Sequence, residues 1–252
     1  MTIAMITGGT SGIGAAFARR FGRMGYDLVL VARDEERLER SAAALRERYH
    51  VEVATISADL TDPEDCRRVE KYLADEENRV DVLVNNAGFG LAKPYPHSPV
   101  DDEERMLDIL TRAPLRLTHA VLPGMKARGR GAILNVASVA GLLPTGTYGA
   151  AKAWLIAFSE SLRIDFAADG IKVLALCPGF TRTEFQERAG MDVSGLSERV
   201  WLDADRVVDQ AIKDLRRNRP VSITGLQYRA YAVAVRLVPR TVAARMARSR
   251  TR

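Results

Sequence analysis

The sequence predicts an α/β protein, built as one large domain in which short apolar strands alternate with helices. The chain has 252 residues, 47% of them hydrophobic, which is enough for one large core. No linker-like stretch, internal repeat or low-complexity segment divides it. Apolar, β-rich runs recur along the chain, separated by segments with helical spacing. We therefore expect residues 1–225 to form the domain and residues 226–252 to be a basic helical extension of it.

The chain opens with a predicted strand, a glycine-rich loop and a helix. A β-rich run ends at Thr7, and Gly8-Gly-Thr-Ser-Gly12-Ile-Gly14 follows it directly. Apolar residues then recur at helical spacing as far as Gly25. Glycines in this context let the backbone approach a pyrophosphate, whose charge rests on the helix N-terminus. The spacing departs from Gly-x-Gly-x-x-Gly, but the context favours a nucleotide-binding loop over a plain turn.

The second predicted strand, Asp27 to Ala32, bears on the choice of cofactor. NAD enzymes usually place an acidic residue at this strand end to bind the ribose 2′-hydroxyl, whereas an Arg suits a 2′-phosphate. Here Arg33 follows the strand, and Asp34 is better interpreted as the N-cap of a helix that runs to Tyr49. An ordinary solvated charge is the alternative for Arg33, and its position favours NADP.

Five further strands are expected along the rest of the chain. A helix should begin at Pro63, with proline in the first helical position, and a long helical segment at 101–127 should be interrupted at Pro114. The expected strands are Val51–Ser57, Asp81–Asn85, Gly131–Ala137, Ile171–Cys177 and, at an edge of the sheet, Pro220–Gly225.

Tyr148 and Lys152 are four residues apart, so on a helix they share one face. A cation one turn away favours the phenolate and would bring the pKa of Tyr148 toward neutral pH. Ser138, at the end of the fifth predicted strand, could hydrogen-bond the oxygen that Tyr148 protonates. Taken alone, Tyr-x-x-x-Lys is a weak motif, because a half-buried core Tyr is commoner.

Several motifs stand together in order: Thr7–Gly14, Asp59-Leu60, Asn85-Asn86-Ala87-Gly88, Ser138, Tyr148-x-x-x-Lys152 and Pro178-Gly179. With them the chain resembles the short-chain dehydrogenase/reductase family over residues 2–225. The resemblance implies a single-domain doubly wound parallel sheet of Rossmann type, flanked by helices on both faces. It also implies hydride transfer between NAD(P) and an alcohol or carbonyl group of a small molecule, and with Arg33 the expected cofactor is NADP.

The resemblance further implies roles for individual residues. Ser138, Tyr148 and Lys152 would be catalytic, and no metal is expected. For Asn86 to Gly88, a structural role is as plausible as contact with the cofactor. The expected cofactor-binding residues are Gly8, Thr10, Ser11, Gly12, Ile13, Gly14, Arg33, Asp59, Leu60, Asn86, Ala87, Gly88, Tyr148, Lys152, Pro178, Gly179, Thr181 and Thr183.

Two features depart from the family pattern. Leu110 stands where an Asn normally holds a water that links the catalytic Lys to solvent, so the proton relay needs another route, through Thr111 or another water. The loop Val139–Thr147 is also shorter than usual, which changes one wall of the substrate pocket. Glu184–Leu202 would be the mobile substrate lid.

The lid and its opposite wall are rich in apolar side chains, which favours a hydrophobic carbonyl compound over a sugar. Two other functions stay open. One is a catalytically impaired NADP-binding sensor or scaffold, which only Leu110 favours. The other is an epimerase or dehydratase, but such enzymes have a different glycine loop and a large C-terminal substrate domain.

The charge distribution sets the basic tail apart. The net charge is +5, yet residues 226–252 hold seven Arg and no acid, so the rest of the chain carries −2. An apolar helical segment with Arg beside it suits an anionic membrane surface, but packing against the protein is the favoured expectation. The two cysteines and the early first strand indicate a cytoplasmic protein without a signal peptide. A homo-oligomer, dimer or tetramer, is expected, and no nucleic-acid partner is.

Overall fold

The computed structural model describes residues 2–237, apart from the side chain of Arg236. Strands and helices alternate along this part of the chain, as the sequence predicts. The strands are β1 (Ile3–Thr7), β2 (Asp27–Ala32), β3 (Val53–Ser57), β4 (Val80–Asn85), β5 (Gly131–Val136), β6 (Ile171–Leu176) and β7 (Val221–Ser222). The α-helices are α1 (Gly12–Arg23), α2 (Glu35–Tyr49), α3 (Pro63–Ala74), α4 (Val100–Leu107), α5 (Ala113–Ala127), α6 (Gly146–Asp165), α7 (Phe185–Arg188), α8 (Ala204–Arg216) and α9 (Leu226–Leu237).

All strand pairs in the described residues are parallel, and the strands lie in the order β3-β2-β1-β4-β5-β6-β7. The chain winds outward from β1 to β3 and then crosses back to place β4 on the other side of β1. This reversal opens a crevice at the carboxyl ends of β1 and β4, where ligands bind in doubly wound folds. The expected fold class is therefore confirmed.

Helices cover both faces of the sheet, so its strands must be apolar on both sides. Ala4 and Ile6 of β1 belong to one buried cluster together with side chains of α1 and α8. Met5, between them, belongs to the opposite cluster with side chains of α3 and α5. The two-residue repeat of the strand thus sends successive side chains into different cores.

Local signals set several helix boundaries as expected. The Asp34 carboxylate accepts a hydrogen bond of 2.9 Å from the Arg37 amide, which caps α2. Asp62 caps α3 in the same way, with Pro63 at its first position. The interruption of the 101–127 segment falls just before Pro114, as a π-helical turn over Asp108–Arg112. Proline has no N–H to donate, so the helical ladder must change there.

A chain of buried polar side chains ties the centre of the sheet to two helices. The Asn85 amide donates to Asn135 Oδ1 at 2.8 Å and to Thr118 Oγ1 at 3.2 Å. The Asn135 amide in turn donates to Ser159 Oγ at 2.9 Å. These bonds join β4 and β5 to α5 and α6, and α6 carries Tyr148 and Lys152. Buried hydrogen bonds of this kind hold together the elements that they connect.

The expected last strand is present as β7, a short edge strand, and α9 follows it. Helix α9 begins at Leu226, the first residue of the expected helical extension, and it buries Tyr228 and Ala232 against the domain. Residues 238–252, with most of the arginines of the basic tail, lie outside the described residues. The expectation about membrane contact therefore falls mostly on residues outside the described part of the chain. Among residues 2–237, no helix has the length and hydrophobicity needed to span a bilayer.

Candidate active site

Tyr148, Lys152 and Ser138 come together beyond the carboxyl end of β5. Tyr148 and Lys152 lie one turn apart on α6, with Lys152 Nζ 5.7 Å from the centroid of the Tyr148 ring. Ser138 stands between β5 and a short 3-10 turn, Val139–Leu142, where its Oγ accepts a hydrogen bond of 3.1 Å from the Ala140 amide. The same hydroxyl interacts with Tyr148. The three groups that the sequence singled out therefore share one site.

Burial dominates the acidity of Tyr148. Loss of water around the hydroxyl raises its pKa above the ordinary value, and the hydrogen bond with Ser138 lowers it only in part. The expectation that Lys152 brings this pKa toward neutrality is therefore wrong for this structure. The reason is that the phenolate of this partly buried ring would lose more hydration than its hydrogen bond with Ser138 restores. The hydroxyl is held in its protonated, hydrogen-donating form.

Lys152 is itself buried, with 5% of its surface exposed. Its Nζ donates a hydrogen bond of 2.6 Å to the Val136 carbonyl at the end of β5. Burial lowers the pKa of Lys152 from 10.5 to about 8. A buried lysine in its charged form destabilises the fold. Residues with pKa values shifted by burial are typical of functional sites.

The shortened loop 139–147 packs tightly against the start of α6. A Cβ atom at Gly141 would lie 2.7 Å from the Ala153 amide nitrogen, so only glycine fits there. The Thr145 hydroxyl closes the loop by donating to the Ala140 carbonyl at 2.9 Å. This wall of the site is thus held close to the Tyr148 turn of the helix.

The glycine loop forms a cradle that side chains would fill. Gly8 and Gly12 have φ angles of +65° and +51°, a conformation that favours glycine. A Cβ at Gly14 would overlap the Gly8 carbonyl oxygen. Ser11 precedes α1 without capping it through its side chain, so the helix N-terminus faces the loop with its first amides unpaired. Together with Thr10 and Ile13, this backbone fits the pyrophosphate of a dinucleotide.

Asn86 braces this loop from the neighbouring strand. Its side-chain amide donates to the carbonyl oxygens of Thr7 (2.8 Å) and Gly8 (3.2 Å). The backbone amides of Asn86 and Ala87 both donate to Thr7 Oγ1 at 3.0 Å. These hydrogen bonds of Asn86 and Ala87 hold the glycine loop against the end of β4. They support a structural role for this turn, the alternative to direct contact with the cofactor.

Leu110 occupies a buried position next to the same turn. It lies in the π-helical segment, it is 1% exposed, and a Cβ at Gly88 would come within 2.7 Å of its Cδ2 atom. Thr111, the suggested substitute in a proton relay, donates its hydroxyl to the Leu107 carbonyl at 2.6 Å. The hydroxyl hydrogen of Thr111, the suggested relay group, is therefore donated within its own helix turn.

Basic side chains gather at the end of the crevice that follows β2 and β3. Arg33, with 61% of its side chain exposed, lies 3.7 Å from the Asp59 carboxylate, and Arg105 lies 3.8 Å from the same group. Leu60 is buried beside them. The sequence did not single out Arg105, because it follows Asp59 by 46 positions in an ordinary charged helix.

Arg37 is a second residue that the sequence did not single out. Its guanidinium group pairs with both carboxylate oxygens of Glu184 and donates to the Thr10 carbonyl at 3.3 Å. Hydrogen bonding to Arg37 keeps the pKa of Glu184 below its ordinary value. This pair joins α2, the glycine loop and the start of the lid, across 147 positions of sequence.

The turn after β6 meets the glycine loop from the other side. The Thr181 hydroxyl donates to the Gly179 carbonyl at 3.0 Å, and Thr183 lies so close that a Cβ at Gly12 would approach its Cγ2 atom to 2.9 Å. Pro178 accepts a hydrogen bond of 3.1 Å from the Val139 amide, which ties the turn to the loop after Ser138. The structure therefore brings the two expected halves of the cofactor site into contact.

The lid folds back over this turn. The Phe185 ring lies 5.9 Å from the Tyr148 ring, and Trp201 packs against Phe180 with ring centroids 5.8 Å apart. A cavity of about 440 Å³ opens under the lid and is lined by Arg182, Thr183, Gln186, Glu187, Met191, Val193 and Trp201. Among residues 2–237, no cluster of His, Cys, Asp or Glu side chains is arranged to hold a metal ion.

Comparison with known proteins agrees with this arrangement. The family model described as short chain dehydrogenase matches residues 2–193. The chain is 42% identical over 189 residues to sulfoacetaldehyde reductase 2 of Chromohalobacter salexigens, covering 73% of this chain and 74% of that protein. It is 37% identical over 185 residues to serine 3-dehydrogenase of Rhizobium radiobacter, covering 72% of each.

Solved structures show the same likeness. A short-chain dehydrogenase from Sphingobium yanoikuyae in complex with NADPH is 39% identical, with a TM-score of 0.87 and coverage of 93% of this chain and 92% of that one. The bulky-bulky ketone specific alcohol dehydrogenase from Comamonas testosteroni is 34% identical, with a TM-score of 0.80 and the same coverage.

Fold, site and relatives together define an oxidoreductase that acts on an alcohol or carbonyl group with a nicotinamide cofactor. The chain belongs to the short-chain dehydrogenase family.

Proposed function

We propose that this protein is an NADP(H)-dependent carbonyl reductase, working reversibly as an alcohol dehydrogenase on a hydrophobic substrate. The observation that carries the proposal is the meeting of Tyr148, Ser138 and Lys152 beside the lid, with Tyr148 in its protonated form. Proton transfer from a positioned hydroxyl is the step that carbonyl reduction requires of the protein.

Each residue then has a separate task. Tyr148 donates its hydroxyl proton to the substrate oxygen in reduction and takes it back in oxidation. Ser138 donates a second hydrogen bond to that oxygen and so fixes its position. Lys152 would hold the nicotinamide ribose, and its ammonium group stabilises the phenolate left on Tyr148. The hydride exchanged with the substrate carbon would come from or go to the bound nicotinamide, and the protein supplies orientation and electrostatics.

The glycine loop and the turn after β6 would hold the cofactor between them. The N-terminus of α1 would bind the pyrophosphate, Asp59 and Leu60 would contact the adenine, and the nicotinamide would lie against Pro178, Gly179, Thr181 and Thr183. Arg33 would bind the 2′-phosphate, since β2 ends without a carboxylate to bind a 2′-hydroxyl. Relatives support NADP, because the Sphingobium dehydrogenase and an L-sorbose reductase from Gluconobacter frateurii were each solved with NADPH.

Replacing Arg33 with alanine is expected to weaken NADPH binding while leaving NADH binding almost unchanged. A charge-assisted contact to phosphate contributes about 1.5–3 kcal/mol, so the Kd for NADPH should rise roughly 10- to 150-fold. Titration of the protein with each cofactor, followed by nicotinamide fluorescence, measures both constants. Arg40→Ala removes an equal charge from the exposed face of α2 and serves as the control. Wild-type protein that binds NADH as tightly as NADPH would show that the NADP assignment is wrong.

The substrate class rests on the side chains around the lid. The Phe185 ring lies beside the Tyr148 ring, and Met191, Val193 and Trp201 line the cavity under the lid together with polar and charged side chains. A relative specific for bulky-bulky ketones has the same fold over 92% of its length. We therefore expect NADPH consumption to rise with substrate hydrophobicity across a panel of ketones and acyl β-ketones. Small polar carbonyl compounds such as sulfoacetaldehyde are the contrast, and faster turnover of these would reject a hydrophobic substrate. Protein with Tyr148→Phe provides the blank.

Two further features concern assembly and location. Leu107, Leu115 and Trp154 are partly exposed around a groove of about 430 Å³ between α6 and the junction of α4 with α5, which supports assembly into a homo-oligomer through this face. Cys66 and Cys177 are buried and form no disulfide, which supports a reducing compartment such as the cytoplasm.

A further inference from the structure

Tyr228 of α9 connects three segments that are far apart in sequence. Its hydroxyl donates a hydrogen bond of 2.7 Å to the Val200 carbonyl at the end of the lid. The same oxygen accepts a hydrogen bond of 2.9 Å from the Phe180 amide, in the turn after β6. The side chain is 9% exposed. One phenol thus satisfies a main-chain donor of the turn and a main-chain acceptor of the lid.

The ring of Tyr228 is fitted as closely as its hydroxyl. It lies flat against Gly179, where any Cβ atom would overlap the ring carbons. Gly179 has no positive φ angle, so the ring contact, rather than the backbone conformation, requires glycine there. Burial raises the pKa of Tyr228, which keeps the hydroxyl protonated and able to donate to Val200.

The two ends of the lid meet at this point. Thr181 forms a parallel bridge with Leu202, the Leu202 amide donates to the Phe180 carbonyl at 2.8 Å, and the Arg182 amide donates to the Leu202 carbonyl at 2.9 Å. The lid therefore leaves and rejoins the turn at one place, which we name the lid base (residues 178–182 and 200–202). Gln227 adds a contact of 3.3 Å from α9 to the Arg199 carbonyl beside it.

We propose that Tyr228 is a positioning residue that fixes the lid base, and through it the placement of the substrate under the lid. The inference deepens the proposed function, because it assumes that the turn after β6 and the lid enclose the reacting groups. It assigns the start of the C-terminal segment a role in substrate selection, because α9 holds the base of the lid. Among the described residues the hydroxyl of Tyr228 bonds with Phe180 and Val200, so binding of the adenosine half of the cofactor should be unaffected.

The test is Tyr228→Phe, which keeps the ring on Gly179 and removes only the hydroxyl. In the protein without ligands, exchange of the Phe180 amide hydrogen should become about tenfold faster or more, because its acceptor is gone, while core amides in β4 and β5 keep their rates. In the steady state, KM for the best ketone of the panel should rise about tenfold, with kcat and the Kd for NADPH changing less than about threefold. Tyr49→Phe is the matched control, since the Tyr49 hydroxyl is buried and makes no hydrogen bond to any described residue.

Three results would overturn the inference: unchanged exchange at Phe180, faster exchange spread evenly over all amides, or local exchange without a change in KM. The exchange measurement needs neither cofactor nor substrate. If the wild-type protein reduced no carbonyl compound, the proposed function would fail, and the Tyr228 bridge would still be supported or rejected by the exchange at Phe180 alone. In a Trp154→Phe background Trp201 is the sole remaining tryptophan, and it packs against Phe180 of the lid base. Adding Tyr228→Phe there should change the fluorescence of Trp201, and an unchanged spectrum would count against the inference.

Discussion

A Tyr148→Phe variant is expected to bind NADPH as the wild type does, while kcat for carbonyl reduction falls by about 10²–10⁴-fold, the usual contribution of a positioned acid. The substitution keeps the ring that packs against Phe185 and sits beside Lys152, so the shape of the site survives. Only the proton donor is lost. Cofactor titration and steady-state kinetics on the same preparation separate binding from chemistry.

The pH profile of the wild type should match this role. Because burial raises the pKa of Tyr148, its proton stays available for reduction through neutral and mildly alkaline pH. Oxidation of an alcohol needs the deprotonated hydroxyl, so its rate should instead rise with pH over the same range. Tyr26→Phe, a half-buried tyrosine beside Phe21, is the control for removing a phenol hydroxyl elsewhere. Turnover of Tyr148→Phe within a few-fold of wild type would remove Tyr148 from the mechanism.

The fold could be predicted from sequence because its signals are local. Strand runs such as Asp27–Ala32 are apolar and β-branched, and the caps at Asp34 and Asp62 stand directly before their helices. The strand order followed from the family resemblance, since no local pattern says which strands are neighbours. The last strand is shorter than the sequence indicates, because only Val221 and Ser222 pair with β6.

The site was less predictable where it depends on distant parts of the chain. The pairing of Arg37 with Glu184, and the contact of Tyr228 with Gly179, join residues that no spacing rule relates. Burial is equally invisible in a motif, which is why the pKa of Tyr148 moves up instead of down. Leu110 shows the same limit: the motif marks a missing polar group, and the structure shows a packed side chain against Gly88.

Lys152→Met should lower the turnover and raise the free energy of unfolding. This combination is typical of a functional residue whose burial destabilises the fold. The pKa of the buried ammonium is lowered to about 8 from 10.5, which corresponds to a penalty of roughly 3 kcal/mol for the charged form at neutral pH. Methionine fills the same space without charge, although it leaves the Val136 carbonyl without its donor. Turnover should fall on the order of 100-fold or more, because Tyr148 loses the cation that stabilises its phenolate.

The stability difference has a defined dependence on pH. Between pH 8 and 10.5 the unfolded wild-type chain binds a proton at Lys152 that the folded protein lacks, so the free energy of unfolding of the wild type rises with pH there. Below pH 8 the full penalty is present, and above 10.5 it is absent. The advantage of Lys152→Met over the wild type, measured by urea unfolding, should therefore be largest below pH 8 and shrink by roughly 3 kcal/mol by pH 10.5. Lys172→Met, at an exposed position of β6, should change neither turnover nor this dependence. A Lys152→Met protein that keeps its turnover would show that the Lys152 ammonium group is not used in catalysis. A stability difference that does not vary with pH would show that burial does not destabilise the charged form.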